Sequence, residues 1–386
     1  MKHIIELMPY PLTQMGGIES HVRELTKALQ LQIGTGDAEV SLAYRPARGT
    51  WATIQAADML AFHGGAGSAK PLPDAAHDQA SRRSDAVGTI CSADVLHLHG
   101  LARLPYLSLL RRVSAKSTVV LTTHGSFWSE SEHVAGALSH ARNLFDRAFA
   151  TEFLARCTAI LVASQAEYEV MVTSTIAKHH RERIHVLPLP VAATERVSHL
   201  TGTARTDARL VALGRQDRLK GFELLAETIL ANPDLPACDI VGPRGNSTRR
   251  LERILASDVS GRVRLRPTVY GAAERTKLLC SALAVVVPSQ FESFSLVAHE
   301  AILADTPVVI SDSAAQAVPR AAVHVFRTGD SASLACALRW VSAHGRSEAA
   351  RAARAEARLL MHSYASYATE VLKLYDVPLR RAGSRQ

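Results

Sequence analysis

The stretch PSQFESFSLVAHEAILADTPVV, residues 288–309, leaves one apolar run, passes through a helical pattern and enters another apolar run. The run before it is LAVVVPS and the run after it is TPVVIS, which makes a strand–helix–strand unit. Short continuous apolar runs of this kind suit strands covered on both faces of a parallel sheet. The same stretch carries two glutamates, Glu292 and Glu300. On a helix, Leu296, Val297, Leu303 and Ala304 share the face of Glu300. An unpartnered carboxylate in such a stripe is costly, so Glu300 asks for a partner or a ligand.

Working outward, the same alternation recurs on both sides. HIIELM, AEVSLAY, DVLHLHG, TVVLTTHG, AILVAS and RIHVLPLP occupy the first half. LVALG, CDIVG, RVRLR, LAVVVPS, TPVVIS and AVHVF occupy the second. Two such sets predict an α/β chain of two doubly wound, Rossmann-like domains. Irregular, polar sequence at 190–206 marks the join. The expected division is residues 1–195, residues 196–361, and a C-terminal helix and tail, 362–386, packing back on the first domain. Tyr367, Val371, Leu374 and Tyr375 give that last helix its apolar stripe, and an Ala/Arg-rich helix at 347–361 precedes it. The stretch 45–92 lacks periodicity, and its length suits a functional or mobile loop, with Trp51 and Phe62 as candidate acceptor contacts.

Composition narrows the function. The net charge of +8 favours anionic partners such as nucleotides or lipid head groups. The basic residues are dispersed and none is interleaved with aromatics, which argues against nucleic acid. Arg103, Arg111, Arg112 and Lys116 allow a peripheral membrane contact. Cys91, Cys157, Cys238, Cys280 and Cys336 form no C-x-x-C pair and suit a reducing cytoplasm. The first residues, MKHIIELMPYPLTQ, do not read as a signal peptide, and no run approaches the roughly 18 apolar residues of a membrane span. The expected location is cytoplasmic, at most peripheral to the inner membrane face.

Three loops look able to hold an anion. Gly16 and Gly17 stand before a helix with Ile18, Val22, Leu25 and Leu29 on one face, either as an anion cradle or as an ordinary tight turn. Arg215 and Lys220 lead from the strand ending at Gly214 into a helix with Phe222, Leu225, Ala226 and Ile229 inward. Cations at a helix start oppose its dipole unless an anion lies between them. The alternative is a surface pair balanced by Asp217 and Glu223. In 288–309 the helix is expected to start near Ser293 or Phe294, freeing the N–H groups of Phe294, Ser295 and Leu296. Glu292 then precedes the amides and Glu300 follows, roughly 12 Å further along the axis. That order suits a nucleoside diphosphate sugar, with Glu292 at the sugar, the amides at the diphosphate and Glu300 at the ribose.

With these motifs in this order, and THG at 123–125, the chain resembles retaining GT-B glycosyltransferases of the large family 4 type. The resemblance implies a GT-B fold, two Rossmann-like domains facing across a cleft, with acceptor in the first and donor in the second. It implies backbone contact from Gly17 to the donor phosphate and a place for His124 beside the transferred sugar. It gives Arg215 and Lys220 to the leaving diphosphate, Glu292 to sugar hydroxyls and Glu300 to the ribose. The nucleotide sugar, UDP- or GDP-linked, is a substrate; no cofactor is required and no metal is expected for the chemistry. The acceptor would be a glycan, a lipid-linked or a small-molecule hydroxyl, as in growth of a bacterial surface glycan. Three positions depart from the family: it usually has glycine at Ser295 and at Asp305, and an apolar residue at His299. These put the donor-sugar preference in doubt. HLHG at 97–100 and THGSFW at 123–128 could imitate a metal site, which the resemblance does not call for. A glycoside hydrolase, a nucleotide-sugar epimerase and a non-catalytic nucleotide-sugar-binding protein are the rival readings.

Overall fold

Among the described residues, twelve of the thirteen strands coincide with the apolar runs named above. The computed structural model describes residues 1–8, 17–33, 37–45, 52–55, 86–100, 104–125, 151–174, 177–191, 209–256, 258–269 and 271–376. Gly16, Trp51, Phe62, Arg103 and most of 45–92 and 190–206 lie outside them. The chain divides into two compact units, Met1–Pro190 with His362–Gln386, and Val191–Met361.

The first unit is built on β1 (Lys2–Met8), β2 (Ala38–Tyr44), β3 (Ala52–Gln55), β4 (Val95–His99), β5 (Thr118–Thr122), β6 (Ala159–Val162) and β7 (Ile184–Val186), in the sheet order β3-β2-β1-β4-β5-β6-β7. The second uses β8 (Leu210–Leu213), β9 (Cys238–Val241), β10 (Val263–Arg266), β11 (Val285–Val287), β12 (Val308–Ser311) and β13 (His324–Phe326), ordered β10-β9-β8-β11-β12-β13. The second sheet is parallel throughout. The first departs from the expectation of parallel strands at one edge, where β3 runs antiparallel to β2 with Leu42 opposite Ile54. Four residues are too few to show a period, so β3 is lost within the irregular 45–92 stretch.

In each sheet the order reverses beside the first strand, between β1 and β4 and between β8 and β11. Ligands of doubly wound sheets bind beyond the strand C-termini at such a switch point. The helices that matter there are α1 (Gly17–Gln32), α2 (Gln165–Thr173), α3 (Phe222–Ala231), α4 (Ala272–Ser281), α5 (Leu296–Leu303), α6 (Glu348–Leu359) and α7 (Tyr364–Leu374). Val22, Leu25 and Leu29 of α1 are buried, as are Phe222, Leu225, Ala226 and Ile229 of α3.

Helix α7 belongs to the first unit. Its inward side chains are Tyr367, Ala368, Val371 and Leu372, followed by Tyr375. Thr369 donates to Gln32 of α1 at 2.9 Å, and Lys2 donates to the Asp376 carbonyl at 2.6 Å. The tyrosine at the end of this segment therefore reaches the first strand of the chain.

Candidate active site

In the second unit, the loops after β8 and β11 are locked to each other. Gly221 takes φ +66, and a Cβ there would lie 2.0 Å from the Pro288 carbonyl oxygen, so only glycine fits. Gln290 N–H donates to the Leu219 carbonyl at 2.8 Å. The Lys220 stem lies across Gly214 and its ammonium donates to Glu292 Oε1 at 2.7 Å. Ser289 Oγ donates to the same oxygen at 2.7 Å. Lys220 and Glu292 are thus brought together at the switch point. Arg215 is largely exposed and pairs with Asp217. Asp217 does balance a cation, but Glu223 accepts from Ser247 and leaves Lys220 to Glu292. Both cations sit on carboxylates that a phosphate can displace.

Helix α5 starts later than expected, at Leu296 rather than near Ser293 or Phe294. Ser295 is the cause: it adopts a left-handed conformation, φ +55 and ψ 68, and breaks the helical path. Its hydroxyl is buried and has no hydrogen-bond partner among the described residues. His299 accounts for the local packing, with its ring stacked on Phe294 at 4.0 Å and Nδ1 donating to the Ser295 carbonyl at 3.0 Å. Burial holds the His299 imidazole below its usual range. Asp305 also has positive φ, +54, and receives the buried Arg354 of α6 at 2.9 Å. Two of the three departures from the resembled family therefore fall on left-handed backbone, where glycine is the unstrained residue.

For Glu300 the structure supplies one of the two alternatives the sequence left open. Glu300 is not unpartnered: Arg275 Nε of α4 lies 2.9 Å from its Oε2. The contact is an ion pair in distance and not an aligned hydrogen bond, since neither atom completes one. Nor is its face the core face, which is Ala298, Ala301 and Ile302; Leu296, Val297, Leu303 and Ala304 are half-buried. Burial raises the Glu300 carboxyl above its usual range, with Arg275 opposing.

In the first unit Gly17 begins α1. His124 follows β5 in a left-handed conformation, φ +51. Glu167 of α2 secures that turn by accepting from Thr123 Oγ1 at 2.6 Å, from Ala163 N–H at 2.9 Å and from Gly125 N–H. Behind His124 runs a buried polar chain. His124 Nε2 is 2.9 Å from His99 Nδ1, and His99 Nε2 is 2.7 Å from Glu6 Oε2. Tyr375 donates to Glu6 Oε1 at 2.7 Å, while His97 meets Tyr375 and, at 2.7 Å, Thr122 Oγ1. Hydrogen bonds and the nearby imidazoles hold the Glu6 carboxyl well below its ordinary range despite burial, while burial lowers His99 to about 4. An ionised Glu6 fixes the proton of His99 on Nε2, so His99 Nδ1 accepts from His124 Nε2–H.

Glu6, His21, Glu167, Arg275 and Ser289 were not anticipated. The signal for Glu6 and His97 was a charged and a polar residue inside apolar runs; β1 and β4 place them at the same level of the sheet. Arg111, one of the cations offered to a membrane, is held by both carboxylate oxygens of Glu152 at 2.9 Å. Among the described residues no helix is long and apolar enough to cross a membrane.

Residues 207–344 match the family described as glycosyl transferases group 1. No match to a curated protein was found. Solved structures share the fold over nearly the whole chain. Sucrose-phosphate synthase from Thermosynechococcus elongatus has a TM-score of 0.73 at 19% identity, covering 97% of this chain and 98% of that one. Anabaena HepE, solved with UDP-glucose, has 0.67 at 16% identity, with 97% and 100% covered. A glycosyltransferase from Rickettsia africae has 0.64 at 14% identity, with 97% and 98% covered. The expected GT-B fold, two Rossmann-like units, is the fold found, its sheets parallel but for the edge strand β3.

Proposed function

We propose that this chain, whose residues 207–344 carry a group 1 glycosyl transferase domain, is a retaining glycosyltransferase. It moves a sugar from a nucleoside diphosphate, UDP or GDP, to a hydroxyl of a glycan, lipid-linked or small-molecule acceptor. The observation that carries this reading is the Lys220–Glu292–Ser289 cluster at the β8/β11 switch point, inside the family match. The Anabaena structure with UDP-glucose on the same fold agrees with a nucleotide-sugar donor.

Breaking the sugar–phosphate bond gathers negative charge on the leaving diphosphate. Lys220 and Arg215 meet that charge, along with the backbone N–H groups at the start of α5. Preformed charge aimed where charge develops is the largest single source of rate in such sites. Lys220 exchanges Glu292 for phosphate, and the freed Glu292 turns to the sugar hydroxyls. Glu300, brought against Arg275, takes the ribose. The acceptor hydroxyl attacks from the face the diphosphate leaves, and a departing phosphate oxygen takes its proton. The anomeric configuration is kept and no protein carboxylate becomes a nucleophile.

The test is incubation with UDP- and GDP-sugars, with and without acceptors, reading released nucleoside diphosphate and product anomer by NMR. Acceptor-dependent release with retained configuration is expected. Release to water alone marks a hydrolase, donor isomerisation an epimerase, and binding without turnover a non-catalytic protein.

A further inference from the structure

Four histidines and Glu6 of the first unit form two triads that share His99, all of them buried except the half-buried His124. Glu6, His97 and His99 are complete as they stand: each polar atom of the set has a partner in Tyr375, Thr122, His124 or another member. His21, His99 and His124 are not complete. His21 is 1% exposed, and neither of its ring nitrogens makes a hydrogen bond among the described residues. Its neighbours are rings: His124 at 5.0 Å, His99 at 5.7 Å, Tyr367 at 5.5 Å and Tyr364 at 5.7 Å between centroids. A buried imidazole with both nitrogens unused is costly and calls for an explanation.

From this geometry we infer that His21, His99 and His124 form a binding site for a zinc-class divalent ion. Each offers one nitrogen, and the three nitrogens lie within 4.8 Å of one another. Three imidazoles around an ion with nitrogen distances of about 2.0–2.1 Å suit zinc, with the fourth position left open. Tetrahedral angles set those nitrogens roughly 3.3 Å apart. The His99–His124 pair, now 2.9 Å apart, opens by a few tenths of an ångström, and His21 rotates inward.

The surroundings prepare the site. Glu6 accepts from His99 Nε2 and turns the Nδ1 lone pair toward His124, the carboxylate–histidine arrangement that orients imidazole ligands on metals. His124 need only move its proton from Nε2 to Nδ1. Glu6 is a fully buried anion whose described partners are histidines and a tyrosine hydroxyl. A cation one imidazole away completes its charge balance. The ligands come from α1, the end of β4 and the turn after β5, so the ion ties three elements at the first sheet's switch point. Three imidazole nitrogens with no carboxylate in the set favour zinc, nickel or cobalt over magnesium, which takes oxygen ligands.

The full chain, stripped with chelator, is titrated with zinc by calorimetry and with cobalt by visible absorption. One equivalent per chain is expected, with the d–d absorption of a tetrahedral nitrogen site. Melting temperature should rise with zinc and stay fixed with magnesium. His21→Phe and His21→Gln, checked for fold by circular dichroism, should each abolish the stoichiometric uptake. Glu6→Gln should weaken it by about ten- to a hundredfold. No saturable uptake by the unaltered chain, uptake equal in a folded His21 variant, or magnesium binding as well as zinc overturns the inference. A cobalt complex with an octahedral, water-like spectrum does the same.

Discussion

Replacing Lys220 by alanine separates the chemistry from the fold. The Lys220 ammonium is about one-third exposed and, among the described residues, donates to Glu292 alone. Glu292 keeps its bond from Ser289 after the change, and it is partly open to water. A partly exposed ion pair of this kind contributes about 0–1 kcal/mol, so melting should shift by little. The transition state loses more. Deleting one preorganised group that meets developing charge costs about 3–4 kcal/mol, a fall in turnover of roughly a hundred- to a thousandfold. Arg215→Ala should lose less, because its guanidinium is two-thirds exposed and already shared with Asp217. The assay is nucleoside diphosphate release at saturating donor, beside thermal melting of both variants. Turnover near the starting value in a folded Lys220→Ala protein would refute the assignment of the leaving group to this loop.

Glu300→Gln should weaken nucleoside diphosphate binding by roughly ten- to a hundredfold in calorimetry. The free protein should change by less than about 1 kcal/mol, since the half-exposed Arg275 can turn to water; unchanged affinity with a large drop in melting would make Glu300 structural. Ser295→Gly should raise stability by about 1 kcal/mol in urea unfolding, as it relieves a left-handed serine and an unpaired buried hydroxyl. A loss of similar size would show the hydroxyl to be bonded. The buried His21 and His99 and the half-buried His124 have folded-state values below the ordinary 6.5, with His99 at about 4. Unfolding therefore takes up protons below about pH 6.5, and stability should fall as pH drops toward 4, by about 1.4 kcal/mol per pH unit for each proton taken up. Melting that is flat between pH 7 and 5 would contradict burial of neutral imidazoles.

The sequence and the structure agree where information is local. Strand after strand was visible because a buried parallel strand writes itself as an unbroken apolar run, and β3 escaped because four residues at an antiparallel edge write no such run. The grouping of Lys220 with Glu292 was legible as two loops that each follow a strand of the same sheet. What could not be read was backbone sign: nothing in FESFSL announces that Ser295 turns left-handed and delays the helix to Leu296. Partners far along the chain were equally hidden. Arg275 reaches Glu300 from a different helix, and Glu6, His99 and Tyr375 meet across 93 and 369 positions of chain.

That last separation bears on how the protein is made. Glu6 is synthesised 369 positions ahead of Tyr375, whose hydroxyl completes its hydrogen bonding. Until α7 has left the ribosome, the groove on α1 and β1 has no cover and the Glu6 carboxylate lacks its tyrosine partner. The Val191–Met361 unit is contiguous and can close while translation continues. The order of folding is therefore the reverse of the order of synthesis. The unit begun first is finished last, and a nascent chain stopped before residue 364 should carry a folded second half behind an open, protease-sensitive first half.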